Sequence, residues 1–413
     1  MPLINQTFSQ IITFERLSGA TYFDATGTLQ TAANNVPRFD YNPSTLAAQG
    51  LLIEEARTNF FTNASGTASG TIGTGTVSGP DNVNCRTFIP TAGAVSFPNI
   101  TGPVQAFTLS LGQTVDWAWS GWFAAGPVGS FAIEPRLIFT ISVNNATSFT
   151  YAELQIDTTN WTVRQKSLPA GLTEVSAPTI TLFKTGLYRV TWVVRYTQDA
   201  TGRNNVSAAI QARNTANSGT YTADGVSGFQ YTLVQAETGS FVTSTIPTTT
   251  TALTRNADEA SVNTLSPWYN QSAGTMFAEF SSFGTPANFP TVWQLDDGTQ
   301  QNILTSYVFT NILGAAQRTL NVSQGDLNTV GAAINAANTT KMGYAYATND
   351  SALSGNGSAL TGLAIDNTVS IPTVTTLRLG IKVTPANMLN GYLRRIVYYP
   401  RRLSNAELQS ITS

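Results

Sequence analysis

Two adjacent carboxylates, Glu54 and Glu55, followed closely by Arg57, stand out in a chain of which only 11% is charged. Paired carboxylates can divide acid and base duties across a substrate, but neighbours on an extended strand point to opposite faces. Glu54 and Glu55 therefore cannot work as one pair, and a structural ion pair with Arg57 or Arg38 is the expected role. Glu153 and Asp157, with no third acid beside them, read as solvent-facing positions on a strand edge. Asp296-Asp297-Gly298 and Asn349-Asp350 offer hard oxygen ligands. Calcium needs about six or more oxygens, and no ordered Asp/Asn ladder accompanies them, so turn chemistry accounts for both. Trp117, Trp119 and Trp192 are expected in a core, since large aromatics alternating along a strand face are usually interior. Trp268-Tyr269, beside Pro267, is the pair expected to be exposed and able to stack on a sugar ring.

Histidine is absent, which removes the commonest general base near neutral pH and the commonest metal ligand together. Ser-His-Asp and Cys-His catalysis and His-type zinc sites are excluded. The lone Cys85 allows no intrachain disulfide and no thiolate cage; it reads as a small, partly buried apolar residue. Gly66 to Gly79 is glycine-rich but lacks the Lys-Ser/Thr ending of a phosphate loop. No catalytic residue, metal or cofactor is expected.

Positioning these residues falls to β-structure. A length of 413 residues exceeds one ordinary core and predicts two domains. Aromatics at 10% and a hydrophobic set at 42% argue against disorder. With 33 Gly and 18 Pro among abundant Thr, Ser, Asn and Gln, the composition is that of short strands joined by tight turns. A net charge of −2 without any Lys/Arg block gives no footprint for nucleic acid or an acidic membrane surface. No run of about 18 apolar residues predicts a membrane-spanning helix. Met1 to Phe14 lacks the basic start, apolar stretch and small-residue cleavage site of a signal peptide, so synthesis in the cytoplasm in soluble form, with release by lysis rather than secretion, is expected.

Residues 1–60 read as a leading segment of short strands with too few repeated apolar positions for its own core, expected to dock against something else. A first sandwich is expected over residues 61–246. Within it, alternation from Val115 to Phe123 puts Val115, Trp117, Trp119 and Phe123 on one face, and Asp116, Ser120 and Trp122 on the other. Residues 247–260, with their Thr run, read as a linker, and residues 261–413 as a second sandwich. Asn328 to Ala337, rich in Ala, is the expected internal helix. At the chain's end Ser404 and Glu407 form a capping box and Leu403 faces Leu408, so a terminal helix should start at Asn405.

Four pieces of the sequence resemble a family of phage structural proteins with laminin G-like, concanavalin A-like folds. The first comprises Thr13-Phe14-Glu15-Arg16, Tyr22-Phe23-Asp24, Pro37-Arg38-Phe39-Asp40-Tyr41 and Gly50 to Asn59. The second runs from Phe229 to Gly239 and through Thr243-Ser244-Thr245-Ile246-Pro247-Thr248 to Thr254-Arg255-Asn256-Ala257-Asp258. The third is Lys341 to Asp350 with Gly355-Asn356-Gly357, and the fourth Asn390 to Ser404. The resemblance implies two concanavalin A-like jelly-roll antiparallel β-sandwiches preceded by an extended N-terminal docking segment. It further implies a component of a tailed-phage virion surface, as tail fibre, head fibre or capsid decoration, that adheres to host or environmental glycans. Its implied partners are other virion proteins, met through the N-terminal segment, and sister copies. Such fibres are commonly threefold, although no heptad repeat fixes a trimer. Enzymes that resemble this fold carry Glu-x-Asp-x-x-Glu on one strand, which this sequence lacks, so no enzyme activity is expected. The alternatives are a capsule depolymerase and a soluble bacterial lectin.

Overall fold

The computed structural model describes residues 8–62, 66–143, 148–283, 289–309, 312–330, 338–357, 370–384 and 387–413. Among them strands dominate, every pairing is antiparallel, and helices are confined to Phe8–Ile11 and Asn405–Thr412. The all-β class expected from composition is the class the chain has, and its main sheets pack as two sandwiches.

In the first sandwich a six-stranded sheet runs in the order Leu172–Lys184, Leu187–Thr197, Thr114–Ala125, Phe229–Thr238, Asn84–Pro90, Gly70–Ser78. Its partner sheet centres on Phe149–Asp157, Ile133–Ser142 and Asn205–Asn214. The alternation around the tryptophans decides what each face meets. Trp117, Trp119 and Phe123 enter the core between the sheets with Leu137, Phe139, Ile156 and Ile210, and Trp192 joins them. Trp122, of opposite parity, packs outside with Phe23, Leu29, Cys85 and Leu187. A register irregularity between Ser120 and Trp122 lies at this switch. Cys85 is fully buried, and burial pushes its thiol up to about 11, so it is an inert apolar residue rather than a nucleophile.

In the second sandwich the six-stranded sheet runs Asp350–Gly355, Thr340–Ala347, Ala273–Ser282, Gly391–Tyr399, Ala48–Ile53, Phe39–Tyr41. The facing seven-stranded sheet starts with Thr13–Glu15 and Glu259–Val262 and ends with Val322–Val330. Three of these strands belong to residues 1–60. The segment expected to dock elsewhere is instead built into the chain's own sheets, with Phe14, Leu51 and Ile53 in the second core. It lacked a core of its own because it completes another one. Gly50 shows how closely it fits. Its φ of +105° suits glycine, and a Cβ there would run into the Leu393 carbonyl on the neighbouring strand.

The same segment also reaches the first sandwich. Its hairpin of Ala20–Phe23 and Leu29–Ala32 lays Phe23 against Trp122, ring centroids 6.4 Å apart, and the Leu29 N–H donates to the Pro80 carbonyl at 2.8 Å. Phe60 and Phe61 enter the first core. Asn59, fully buried, donates to the carbonyls of Val234 (3.0 Å) and Ile246 (2.9 Å) and accepts from the N–H groups of Phe61 and Ala236. Residues 247–260, expected as a linker, are likewise paired. Leu253–Arg255 lies antiparallel to Arg57–Asn59, and Glu259–Val262 lies between Thr13–Glu15 and Thr376–Leu379.

The expected helix over Asn328 to Ala337 is not formed where it is described: Asn328 pairs with Gly314 in Val322–Val330, and residues 331–337 lie outside the described residues. The terminal helix starts at Asn405. The Ser404 hydroxyl accepts the Glu407 N–H at 3.3 Å, and the Glu407 carboxylate accepts the Ser404 N–H at 2.7 Å. Leu408 is buried against Ala345 and Ala352. Ser404→Ala is expected to destabilise the fold by about 1 kcal/mol, within roughly 0.5–2, as read from the midpoint of denaturant unfolding.

Candidate functional site

The charged residues of the leading segment converge on those of residues 247–260 in a buried cluster where the two sandwiches join. Arg16, Arg38, Glu54, Arg255 and Asp258 are each at most 1% exposed. Arg38 Nη2 lies 2.9 Å from Glu54 Oε2 and also pairs with Asp258 Oδ2. Arg16 Nη1 meets Asp258 Oδ1 at 3.0 Å, and Arg255 Nη1 meets Glu54 Oε2 at 3.2 Å. Ser244 donates to Glu54 from both its N–H (2.7 Å) and its hydroxyl (2.6 Å). Burial alone pushes the Glu54 carboxyl up, but Arg255, Arg38 and the Ser244 hydrogen bonds outweigh it and bring it down to about 2. Charges taken out of water are tolerated only when paired and hydrogen-bonded in this way.

Glu55 points away from Glu54. Its carboxylate meets Arg57 at 2.6 Å and accepts from Asn390 Nδ2 at 2.9 Å. Arg16, Arg255 and Asp258 were missed as members of the cluster from sequence. The available signal was compositional: in a chain so poor in charge, Arg and Asp/Glu concentrate in residues 15–57 and 255–259.

Two clefts flank this junction. The first, of ≈ 370 Å³, takes Thr21, Asp40, Asn42 and Gln49 from the leading segment, Arg189 and Thr191 from the first sandwich, Thr243 to Thr245, and Phe283 and Tyr392 from the second. Asp40 accepts the Phe23 N–H at 2.5 Å and the Tyr392 hydroxyl at 2.7 Å. Burial raises its carboxyl above the usual carboxylate range, only partly offset by these bonds. The second cleft, of ≈ 440 Å³, is lined by Glu55, Arg57, Asp116, Phe241, Asn387 and Asn390, among others. Arg57 lies over the Phe241 ring, 4.7 Å from its centroid, and Arg195 neutralises Asp116 at 2.7 Å. Gly239, with φ +143°, leaves the room that the Arg57 guanidinium occupies.

No protein-family model matches the chain, and no curated protein matches it. Solved structures do. The chain is similar to the CBM40 of the Ruminococcus gnavus IT-sialidase, at 18% identity over 35% of this chain and 84% of that chain, with a TM-score of 0.30. It is similar to a SAP-like pentraxin from Limulus polyphemus, at 15% identity over 34% of this chain and 70% of that one, TM-score 0.28. It is also similar to domains LG4-5 of the mouse laminin alpha1 chain, at 12% identity over 77% of this chain and 91% of that one, TM-score 0.26. At these scores no residue or ligand carries over from them.

The remaining sequence candidates sit apart from the clefts. Trp268 and Tyr269, expected to be exposed, are half-buried against the second core. Trp268 sets its edge on Tyr398 at 5.2 Å, and Tyr269 packs between Tyr398 (5.6 Å) and Tyr346 (6.5 Å). Neighbouring tyrosines, invisible as partners in sequence, take up the faces a sugar would need. Glu153 and Asp157 are not on a sheet edge: Phe149–Asp157 runs between Ile133–Ser142 and Thr162–Ser167. Glu153 pairs with Arg136, and Asp157 with Arg164 at 2.8 Å. Asp296 is fully buried and held by Arg378 at 2.9 Å, and its other oxygen closes the turn to the Gly298 N–H. Asp350 meets Arg402 at 2.7 Å, next to Asn349 with φ 58°.

Proposed function

We propose that this chain is a non-catalytic adhesive protein of a tailed-phage virion surface, holding glycan in the first cleft between its sandwiches. The observation that carries the adhesive reading is the state of the cleft's carboxylates. Glu54 is fully buried, its oxygens accept from the N–H and hydroxyl of Ser244, and it is ion-paired with Arg38 and Arg255, so its carboxylate is held by the protein rather than aimed at an anomeric carbon. What remains open is amide, hydroxyl and aromatic surface of the kind that binds sugars without cleaving them. Support for the virion setting, as tail fibre, head fibre or capsid decoration, is the resemblance of the four sequence pieces. Docking onto sister virion proteins then uses a face of a folded body, since residues 13–59 are tied into both sandwiches. A threefold homo-oligomer is the assembly proposed with it.

The test has two arms. The purified full chain on an immobilised glycan panel should retain specific oligosaccharides, and antibody against it should label purified virions. No retention on the panel sinks the adhesive reading, and unlabelled virions sink the virion setting.

One observation favours a second reading, a glycan-cleaving enzyme. Asp40, held up by burial, and Glu54, held down to about 2, line the same cleft, and pairs pushed apart in this way mark acid and base in glycosidases. Chain lengths of capsular polysaccharide incubated with wild type and Asp40→Asn distinguish the two. The expected result is no shortening by either protein; shortening by wild type alone establishes the enzyme.

A further inference from the structure

We propose that Arg189 anchors the carboxylate of an acidic sugar, a hexuronic acid or similar sugar acid, in the ≈ 370 Å³ cleft. The proposal rests on the glycan-binding reading above and names the ligand class for that site.

Arg189 lies on Leu187–Thr197, directly across from Trp122 in register. Its guanidinium sits over the Trp122 ring, 5.1 Å from the centroid. One flat face is therefore covered, leaving the edge that carries the N–H fork to bind in plane. Arg189 makes no hydrogen bond or ion pair with any described residue, and its Nε is buried without a partner. Arg38, Arg57 and Arg255, by contrast, all have carboxylates at hand. An arginine held on an aromatic face with its donors unused is arranged to receive a planar, bidentate acceptor, and a carboxylate is the acceptor that fits that fork.

The surrounding acids leave that place vacant. Asp40 is committed to the Phe23 N–H and the Tyr392 hydroxyl, and Glu237 to the N–H and hydroxyl of Thr243. Glu54 is committed to Ser244 and its arginines. Asn42 and Gln49 each use the side-chain oxygen on a neighbour, Asn42 accepting from the N–H groups of Ser44 and Thr45 and Gln49 from Arg394. Their amide N–H groups are left to meet sugar hydroxyls. Phe283 supplies an aromatic wall, and the volume lies in the range of about 300–1,000 Å³ typical of small-ligand sites.

Isothermal titration of the full chain with hexuronate oligosaccharides, their neutral hexose counterparts and sulfated oligosaccharides tests this. Wild type should prefer the hexuronate over the neutral sugar by about 10- to 100-fold, the size of a charge-assisted hydrogen bond. Arg189→Gln should erase that preference, and Arg189→Lys should restore part of it. If Arg189→Gln fails to fold, Asn42→Asp decides. It keeps the acceptor that the turn uses and adds a negative charge to the cleft, so hexuronate affinity should fall by about 3-fold or more. A preference that survives Arg189→Gln, no effect of Asn42→Asp, or tighter binding of sulfated than of carboxylated sugar overturns the assignment. Neutral glycan bound without any acid preference removes this inference alone, whereas no glycan bound at all removes the adhesive reading with it.

Discussion

Deleting residues 1–59 should unfold the second sandwich and loosen the first. The deletion removes Ala48–Ile53 and Phe39–Tyr41 from one sheet of the second sandwich and Thr13–Glu15 from the other. It strips Phe14, Leu51 and Ile53 from the core. Burying each such side chain is worth about 1.5–3 kcal/mol, so with the lost sheet pairing the loss is comparable to the roughly 5–15 kcal/mol that holds a whole domain folded. Arg255 and Asp258 would also lose Arg16, Arg38 and Glu54. On the first sandwich, Trp122 would lose the cover of Phe23. Calorimetry of the truncated protein should show no transition for the second sandwich and a lowered one for the first. A soluble truncation with both transitions intact would contradict this packing, and would restore the sequence-based expectation that the leading segment docks elsewhere.

Glu54→Gln should be the most damaging single substitution among the charged residues. It leaves three buried guanidinium groups facing Asp258 alone. Removing one member of a buried ion pair costs about 3–5 kcal/mol, because its partners stay desolvated and uncompensated. Acid should reproduce part of the effect. The Glu54 carboxyl is held at about 2, below its ordinary value of 4.5, so the folded state binds its proton less readily than the unfolded state. Its contribution is therefore fully present above about pH 4.5 and is lost as the pH falls towards about 2, amounting to about 3 kcal/mol. Wild-type melting temperature should fall steeply across that window. The corresponding slope in Glu54→Gln should be visibly shallower, and equal slopes in the two proteins would show that Glu54 is not the group being titrated.

What the sequence revealed and what it hid divide along sequence separation. The opposite destinations of Trp119 and Trp122 follow from strand parity, and the helix start at Asn405 follows from Ser404 and Glu407, because both signals are contained within a few residues. The ion cluster is different. Arg16 and Asp258 are 242 positions apart and Arg38 and Asp258 are 220, and no periodicity connects them. Residues 1–60 looked coreless for the same reason, since the strands that complete their sheet, such as Gly391–Tyr399, come near the other end of the chain. Trp268 and Tyr269 read as exposed in the sequence because Tyr346 and Tyr398, which pack on them, are not sequence neighbours. Neither Asp40 nor Arg189 stands out in the sequence as a site residue; the cleft that brings them together exists only once both sandwiches meet.

The pairing of Ala48–Ile53 with Gly391–Tyr399 sets an order of events on the ribosome. Glu55 and Asn390, hydrogen-bonded at 2.8 Å beside that pairing, are 335 positions apart. At roughly 5–20 residues per second, Leu51 to Ile53 emerge about 17–67 s before the strand that will cover them. The first sandwich, inserted between the two halves of the second, is fully synthesised well within that interval. Its outer face around Trp122 is then available to the early hairpin of Ala20–Phe23 and Leu29–Ala32. The cover of Phe23 and Leu29 over Trp122 thus needs only chain already made, whereas Leu51 and Ile53 await the strand Gly391–Tyr399 to complete their sheet.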